Sequence, residues 1–317
     1  MAQIPHGGFD NLGDNFEIIF PKGDIMGDDE ISPHIETADA IVSVFGHQLS
    51  NELIDRAKNL KLIANFGVGY DNIDIDYVSK KGITVTNTPD PVTEPTAELA
   101  MGLMVAVARQ IGKLNNQLRT PEGVKTGVMK NLSTTLSGKT LGIIGMGAIG
   151  QALARRALAF NMHIIYHNRK QLHPDIEERY KAKKVTLTAL LKTADVVSLN
   201  TPLTPETKHL MGEAEFKAMK NTAIIVNTAR GSVINQPQLI AALQNKDIAG
   251  AGLDVYENEP HIPDELLAMD NVVLTPHVGT ATQETREEMS RFISEIINQF
   301  FQGTLKKYIV NEKILRH

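Results

Sequence analysis

Three residues in the last third of the chain have side chains suited to chemistry, and each follows a short apolar run. Arg230 lies in Val226-Asn227-Thr228-Ala229-Arg230-Gly231, Glu259 in Asp254-Val255-Tyr256-Glu257-Asn258-Glu259-Pro260, and His277 in Leu274-Thr275-Pro276-His277-Val278-Gly279. An imidazole titrates near neutral pH and can pass a proton to a developing alkoxide. A guanidinium is a planar, permanently charged donor suited to carboxylates. Taken singly, each residue has a structural explanation: a surface arginine, a loop glutamate, a histidine beside a proline. Together they sit where open α/β sheets bind ligands, just beyond the carboxyl ends of strands.

Positioning such a set requires parallel strands, and the chain supplies the pattern. Short apolar runs alternate with helical stretches over most of its length, which implies βαβ units. The first third offers strands at Phe16–Phe20, Ala40–Val44, Leu62–Asn65 and Thr84–Thr86, with a helix from Asn51 to Leu60 that Ser50 caps. A long apolar helix follows Pro95, from Thr96 to about Ile111. Apolar residues cover most of its circumference, so it is expected to be buried as a bridge or in a subunit interface. The stretch 114–137 is polar and weakly periodic and reads as an irregular arm. Six more strands follow, at Leu141–Ile144, His163–Tyr166, Asp195–Leu199, Ala223–Val226, Gly250–Val255 and Val272–Thr275. They fit a doubly wound sheet. The helix from about Gln283 to Phe301 and the tail are free to return to the first domain.

The first of these six strands runs into Gly145-Met146-Gly147-Ala148-Ile149-Gly150, and a helical run follows. Glycines in a tight turn are the structural alternative, but strand, glycine turn and helix together form a dinucleotide site. Gly145 permits the turn, Gly147 lets the backbone approach a pyrophosphate, and Gly150 lets the helix pack closely. The amides of Ala148 and Ile149 face the ligand at the positive helix end. Beyond the next strand comes Asn168-Arg169-Lys170, where an NAD-specific site places an acid for the ribose hydroxyl. An amide with two cations favours a 2′-phosphate, so NADP(H) is expected to be preferred, with NAD(H) possible. The alternative is a solvated basic turn that tolerates either cofactor.

Bulk properties exclude other classes. The 317 residues suit two domains, 42% are hydrophobic and 22% charged, and the net charge of -5 gives no footprint for nucleic acid or an anionic membrane. With no cysteine, disulfides, thiolate metal sites and a cysteine nucleophile are impossible. The ten histidines show no ligand spacing, so no metal is expected, and His34, His47, His163, His167, His173 and His209 read as structural or surface residues. No secretory signal or membrane-length apolar run is evident, and a cytoplasmic protein is expected.

Several motifs in order make the sequence resemble the D-isomer-specific 2-hydroxyacid dehydrogenases over nearly its whole length. They are Gly67-Val68-Gly69-Tyr70-Asp71-Asn72-Ile73-Asp74, Thr96-Ala97-Glu98, the glycine turn, Pro202-Leu203-Thr204 and the three segments quoted first. Within the family it is most similar to glyoxylate/hydroxypyruvate reductases and 2-ketogluconate reductases. There are two departures. The usual first strand is missing or reduced to the residues around Ala2–Ile4, and the arm near Gly123–Asn131 lacks the tryptophan often found there.

The resemblance implies an α/β protein of two doubly wound parallel-sheet domains, with a Rossmann cofactor domain (93–282) inserted into a smaller flavodoxin-like substrate domain (1–92 and 283–317). It implies an NADPH-preferring reductase of small 2-keto acids, acting as a homodimer. By the same likeness Glu259, rather than Glu257, pairs with His277 as proton donor, and Arg230 holds the substrate carboxylate and polarises the keto oxygen. Val68 and Gly69 supply carboxylate-binding amides. Thr96, Thr201, Pro202, Thr228, Ala229 and Gly279 line the cofactor, and Asp254 contacts the nicotinamide carboxamide. Phe45, Gly46 and Leu53 are candidates near the pocket. Two alternatives stand beside this: a 2-ketogluconate or D-lactate-type dehydrogenase using NADH, and an NAD(H)-sensing corepressor-like binding protein.

Overall fold

Alternation along short apolar strands builds the first sheet. In the computed structural model, which describes residues 2–44 and 46–315, β1 (Ala40–Val44), β2 (Leu62–Phe66) and β3 (Thr84–Thr86) pair in parallel in that order. Successive side chains face opposite sides. Ile41, Ile63 and Val85 therefore cluster with Ile54 and Val78 from the helices Asn51–Arg56 and Ile75–Lys80. Val44, Leu62, Ala64 and Phe66 meet Met289, Ile293 and Ile297 of the helix Gln283–Phe301 on the other face. The sheet and these helices belong to one compact unit, residues 1–92 with 280–317.

The strand expected at Phe16–Phe20 does not form. Its aromatic ends anchor the segment instead: Phe16 meets Phe301 edge-on and Phe20 stacks on His6, while Ile18 and Ile19 stay exposed. Ala2 makes only an isolated antiparallel bridge with Ile25, and His6–Asn15 is a 3-10 helix. Phe45 lies outside the described residues.

The second unit, residues 93–279, holds a seven-stranded parallel sheet. Its strands are β4 (Thr140–Ile144), β5 (His163–His167), β6 (Ala182–Lys184), β7 (Val196–Leu199), β8 (Ile224–Asn227), β9 (Gly250–Leu253) and β10 (Val272–Leu274). The spatial order is β10-β9-β8-β7-β4-β5-β6, so the order reverses at β4, where the glycine turn begins. Strand β6 escaped the sequence reading because Ala-Lys-Lys is short and polar. Both properties suit an edge strand that must not recruit another chain.

The long apolar helix spans Asp90–Ala108, six residues earlier than expected, with Pro95 inside it. Pro95 lies in the second turn, where its missing N–H removes one hydrogen bond. Ala97, Ala100, Met101, Leu103, Met104, Val107 and Ala108 are buried with Leu141, Ile143, Ile164 and Val226 of the same unit's sheet. Two glycines of β9 make this packing possible. A Cβ on Gly252 would lie 3.0 Å from Leu103 Cβ, and one on Gly250 3.0 Å from Val107 Cγ1. The helix thus needs no partner subunit to account for its apolar surround. A second helix, Ile111–Leu118, takes the start of the expected arm, and the chain from there to β4 is irregular.

Candidate active site

The dinucleotide turn is shaped by backbone contacts. Gly145 has φ +90°, and a Cβ there would lie 2.7 Å from the Asn200 carbonyl oxygen. A Cβ on Gly150 would lie 2.7 Å from the Gly145 carbonyl oxygen, whereas one on Gly147 would meet nothing within 4 Å. Gly145 and Gly150 thus allow protein packing, while Gly147 leaves room for an approaching ligand. The helix Ala148–Ala159 has no side-chain cap, and the Ala148 and Ile149 amides have no acceptor among the described residues. Free first-turn amides form an anion site. Two buried side-chain oxygens near this edge, Asn200 Oδ1 and Thr228 Oγ1, also lack a partner, as expected of groups that complete their bonds with a ligand. The donor set fits a dinucleotide.

Asn168 does not simply face outward. Its Oδ1 accepts a 2.7 Å hydrogen bond from the Met146 amide, which braces the glycine turn and leaves its amide nitrogen as the available donor. Asn168 and Arg169 border a recess with Lys183 and Lys184 at the end of β6; Lys170 is exposed and does not line it. The two lysines were missed with the strand that carries them. The Glu206 carboxyl is held below its ordinary value, chiefly by the Thr204 hydroxyl, with the Arg169 charge contributing. Arg169 therefore acts on a carboxylate that sequence order did not place beside it.

Farther along the same sheet edge, the loops after β8, β9 and β10 carry the three residues of interest. Buried Asn227 ends β8, and its amide donates to the Arg230 carbonyl at 2.9 Å while its oxygen accepts from the Ala229 amide at 3.0 Å. Gly231 is buried against the backbone of Tyr256, where any Cβ would collide, so the Arg230 loop and the Glu259 loop pack directly. Arg230 Nη1 donates to the Ala229 carbonyl at 2.8 Å. Glu259 Oε1 accepts from the Tyr256 amide at 2.9 Å, and Glu259 Oε2 lies 2.7 Å from His277 Nδ1. The Glu259 carboxylate thus fixes the orientation of the ring through Nδ1.

Electrostatics ties the three together. Burial alone would raise the Glu259 carboxyl. The His277 hydrogen bond and charge, the Tyr256 amide and the Arg230 charge outweigh it and hold the carboxyl below its ordinary value. Glu257, the competing glutamate, points elsewhere: its Oε1 lies 2.5 Å from His209 Nε2. His209, expected to be a structural or surface residue, is the partner of Glu257 in that second pair.

Asp254 organises the His277 loop. Its Oδ1 accepts from the Thr275 hydroxyl at 2.7 Å and the Val278 amide at 2.8 Å, and its Oδ2 from the Gly279 amide at 2.9 Å. Burial nevertheless raises the Asp254 carboxyl, against those bonds and the His277 charge. Thr96 reaches the Gly279 carbonyl at 3.5 Å, and the Thr201 hydroxyl donates to the Pro202 carbonyl at 2.9 Å. In the other unit, Val68 and Gly69 follow β2, and Val68 is exposed. No group of three or more metal-ligating side chains comes together among the described residues.

Residues 101–279 match the NAD binding domain of the D-isomer specific 2-hydroxyacid dehydrogenases. The chain belongs to that family. It is an oxidoreductase with an NAD(P)-binding Rossmann domain. It is 43% identical to a glyoxylate reductase of Thermococcus litoralis, across 99% of this chain and 96% of that protein. A glyoxylate reductase from Paecilomyes thermophila superposes with a TM-score of 0.88 at 37% identity, covering 98% of this chain and 97% of that one. An NADPH-dependent glyoxylate/hydroxypyruvate reductase from Sinorhizobium meliloti, in complex with NADP and malonate, gives 0.85 at 31% identity, covering 98% and 95%. No helix among the described residues is long and apolar enough to cross a membrane.

Proposed function

We propose that this member of the family uses NADPH to reduce glyoxylate and similar small 2-keto acids to D-2-hydroxy acids. The observation that carries the reading is the 2.7 Å Glu259–His277 pair under the charge of Arg230, on the sheet edge that also bears the glycine turn. The glyoxylate reductase relatives support the substrate class. When bound, the dinucleotide supplies the hydride.

The chain's own groups do the rest. Arg230 grips the keto acid and polarises its keto oxygen. Val68 and Gly69 offer amides to its carboxylate, which makes residues 1–92 with 280–317 the substrate-binding domain. His277, oriented through Nδ1 by Glu259, gives its Nε2 proton to the developing alkoxide. Asp254, with both oxygens engaged by its own loop, still has lone pairs for the nicotinamide carboxamide. Cytoplasmic location and a homodimer belong to the same reading.

The preference for NADPH rests on Asn168 and the cations around it. Asn168 already uses its oxygen on Met146, so what it offers a ribose substituent is a donor, which suits a phosphate. Glu206 works against Arg169, and Glu177, itself on the recess, against Lys184, but Arg169, Lys183 and Lys184 together leave the lining net positive. One charge-assisted hydrogen bond is worth roughly 1.5–3 kcal/mol, and roughly 1.4 kcal/mol is tenfold. We expect kcat/KM to favour NADPH by about one to two decades on that arithmetic. A spectrophotometric panel of 2-keto acids with each cofactor tests both halves. Better turnover with NADH would defeat the cofactor reading; no turnover of any 2-keto acid would defeat the function. Asn168→Asp with Arg169→Ala is expected to reverse the preference, because Asp keeps the Met146 bond while repelling the phosphate.

A further inference from the structure

The loop after β2 is tied down in a way that neither the strand nor the following helix requires. Asn65 is the penultimate residue of β2 and is fully buried. Its amide nitrogen has two hydrogens and two acceptors: the carbonyl of Gly67 at 3.0 Å and that of Gly69 at 2.8 Å. The intervening carbonyl, on Val68, accepts from the Asn87 side chain at 2.9 Å. The Gly67 carbonyl also takes the Thr88 amide at 2.9 Å, and the Thr88 hydroxyl returns to the Asn65 carbonyl at 2.8 Å. Three consecutive carbonyls are thus held by two asparagine side chains and one backbone amide.

A trans peptide is planar, so its C=O and N–H point in opposite directions. Holding the carbonyl of Gly67 aims the Val68 N–H the other way, and holding that of Val68 does the same for the Gly69 N–H. Neither amide donates to any group among the described residues. This is the reverse of ordinary loop economy, in which amides are satisfied and carbonyls, with two lone pairs each, are more often left to water. The buried Asn65 Oδ1 is itself without a partner. Burying that oxygen unbonded is unfavourable. The residue is therefore placed for its donor nitrogen.

We propose that Asn65 and Asn87 are positioning residues for substrate recognition: they hold the carbonyls of Gly67, Val68 and Gly69 so that the Val68 and Gly69 amides are presented to the substrate carboxylate. The inference rests on the keto-acid reading above. Asn87 is only half-buried and can be truncated without opening the core, so Asn87→Ala is the main variant and Asn65→Asp, which keeps the size but loses both donors, the second. Steady-state kinetics would give the KM for glyoxylate and for NADPH, and oxamate would serve as a carboxylate-bearing competitive probe. Releasing one locked peptide is expected to raise the glyoxylate KM and the oxamate Ki about tenfold, on the scale of one hydrogen bond. kcat and the NADPH KM are expected to stay within about twofold, since neither residue lies in the cofactor unit. An unchanged glyoxylate KM in Asn87→Ala, or an equal rise in the NADPH KM, overturns the proposal while leaving the function intact. A wild-type enzyme inactive on every 2-keto acid overturns both.

Discussion

His277 has φ +53°, in the left-handed region that a residue with a Cβ adopts at a cost of order 1 kcal/mol or more. The loop sustains it because the His277 amide bonds the Asp254 carbonyl at 2.8 Å and the next two amides bond the Asp254 carboxylate. Such over-determination suits a side chain that must be held in one place. His277→Ala is expected to lower kcat by a factor on the order of 10²–10⁴, the range for loss of a positioned proton donor; turnover near wild type would remove His277 from that role. Glu259→Gln tests the pair through turnover: without the carboxylate the ring loses the partner that orients it, so kcat is expected to fall. Stability gives an independent reading. The folded Glu259 carboxyl titrates below its unfolded value, so its pairing adds stability above the ordinary glutamate range and loses it as pH falls through the lowered value. The Gln variant is expected to be less stable than wild type near neutral pH, and the gap to narrow in acid. Thermal melts across pH would show it.

At the scale of elements, the site depends on loops that touch through glycine. Arg230 and Glu259 belong to loops after different strands, and their contact is Gly231 lying on the Tyr256 backbone. Side-chain rearrangement cannot relieve a collision with backbone. Gly231→Ala is therefore expected to destabilise the protein by about 1–3 kcal/mol, the range for overpacking, and to lower activity more than that loss of folded protein explains. Ser232→Ala, one residue on, is the control. Equal Tm and equal kcat for the two variants would show that the loops do not depend on this contact.

At the scale of the whole molecule, the apolar surface that needs covering is not the long helix but the segment after it. Val128 is 94% and Met129 78% exposed, and Leu118 and Leu132 are exposed nearby. A cleft of about 810 Å³ at the amino ends of β4, β7 and β8 is bordered by Leu132, Ser133 and Thr134 of the same segment. It lies on the opposite sheet edge from the glycine turn. A two-fold homodimer, in which each protomer's segment covers the other, would bury these side chains. Light scattering at micromolar concentration is expected to return twice the 34.8 kDa chain mass, and a monomer would contradict the assembly. Met129→Asp with Val128→Asp is expected to shift the protein toward monomer without unfolding either unit.

The sequence by itself determined the α/β class, six of the seven strands of the cofactor sheet and the glycine turn. Each of these is written in local order: apolar runs of strand length, glycines at fixed offsets and a helix directly after them. It also marked Arg230, Glu259 and His277, since residues just past strand ends fall on one edge of a parallel sheet. What it could not read depends on partners distant in the chain. The Phe16–Phe20 run has a strand's composition, but its aromatic ends anchor against His6 and Phe301. The proline after Glu259 marked it over Glu257 as the partner of His277, but only the fold shows that Glu257 is taken by His209, 48 residues away in the chain. Asn65 and Asn87 look like ordinary loop asparagines until their amides are seen holding three carbonyls of one loop. Strand pattern is a local property of the chain, whereas the direction of a peptide plane or a carboxylate is set by whatever the tertiary structure packs against it.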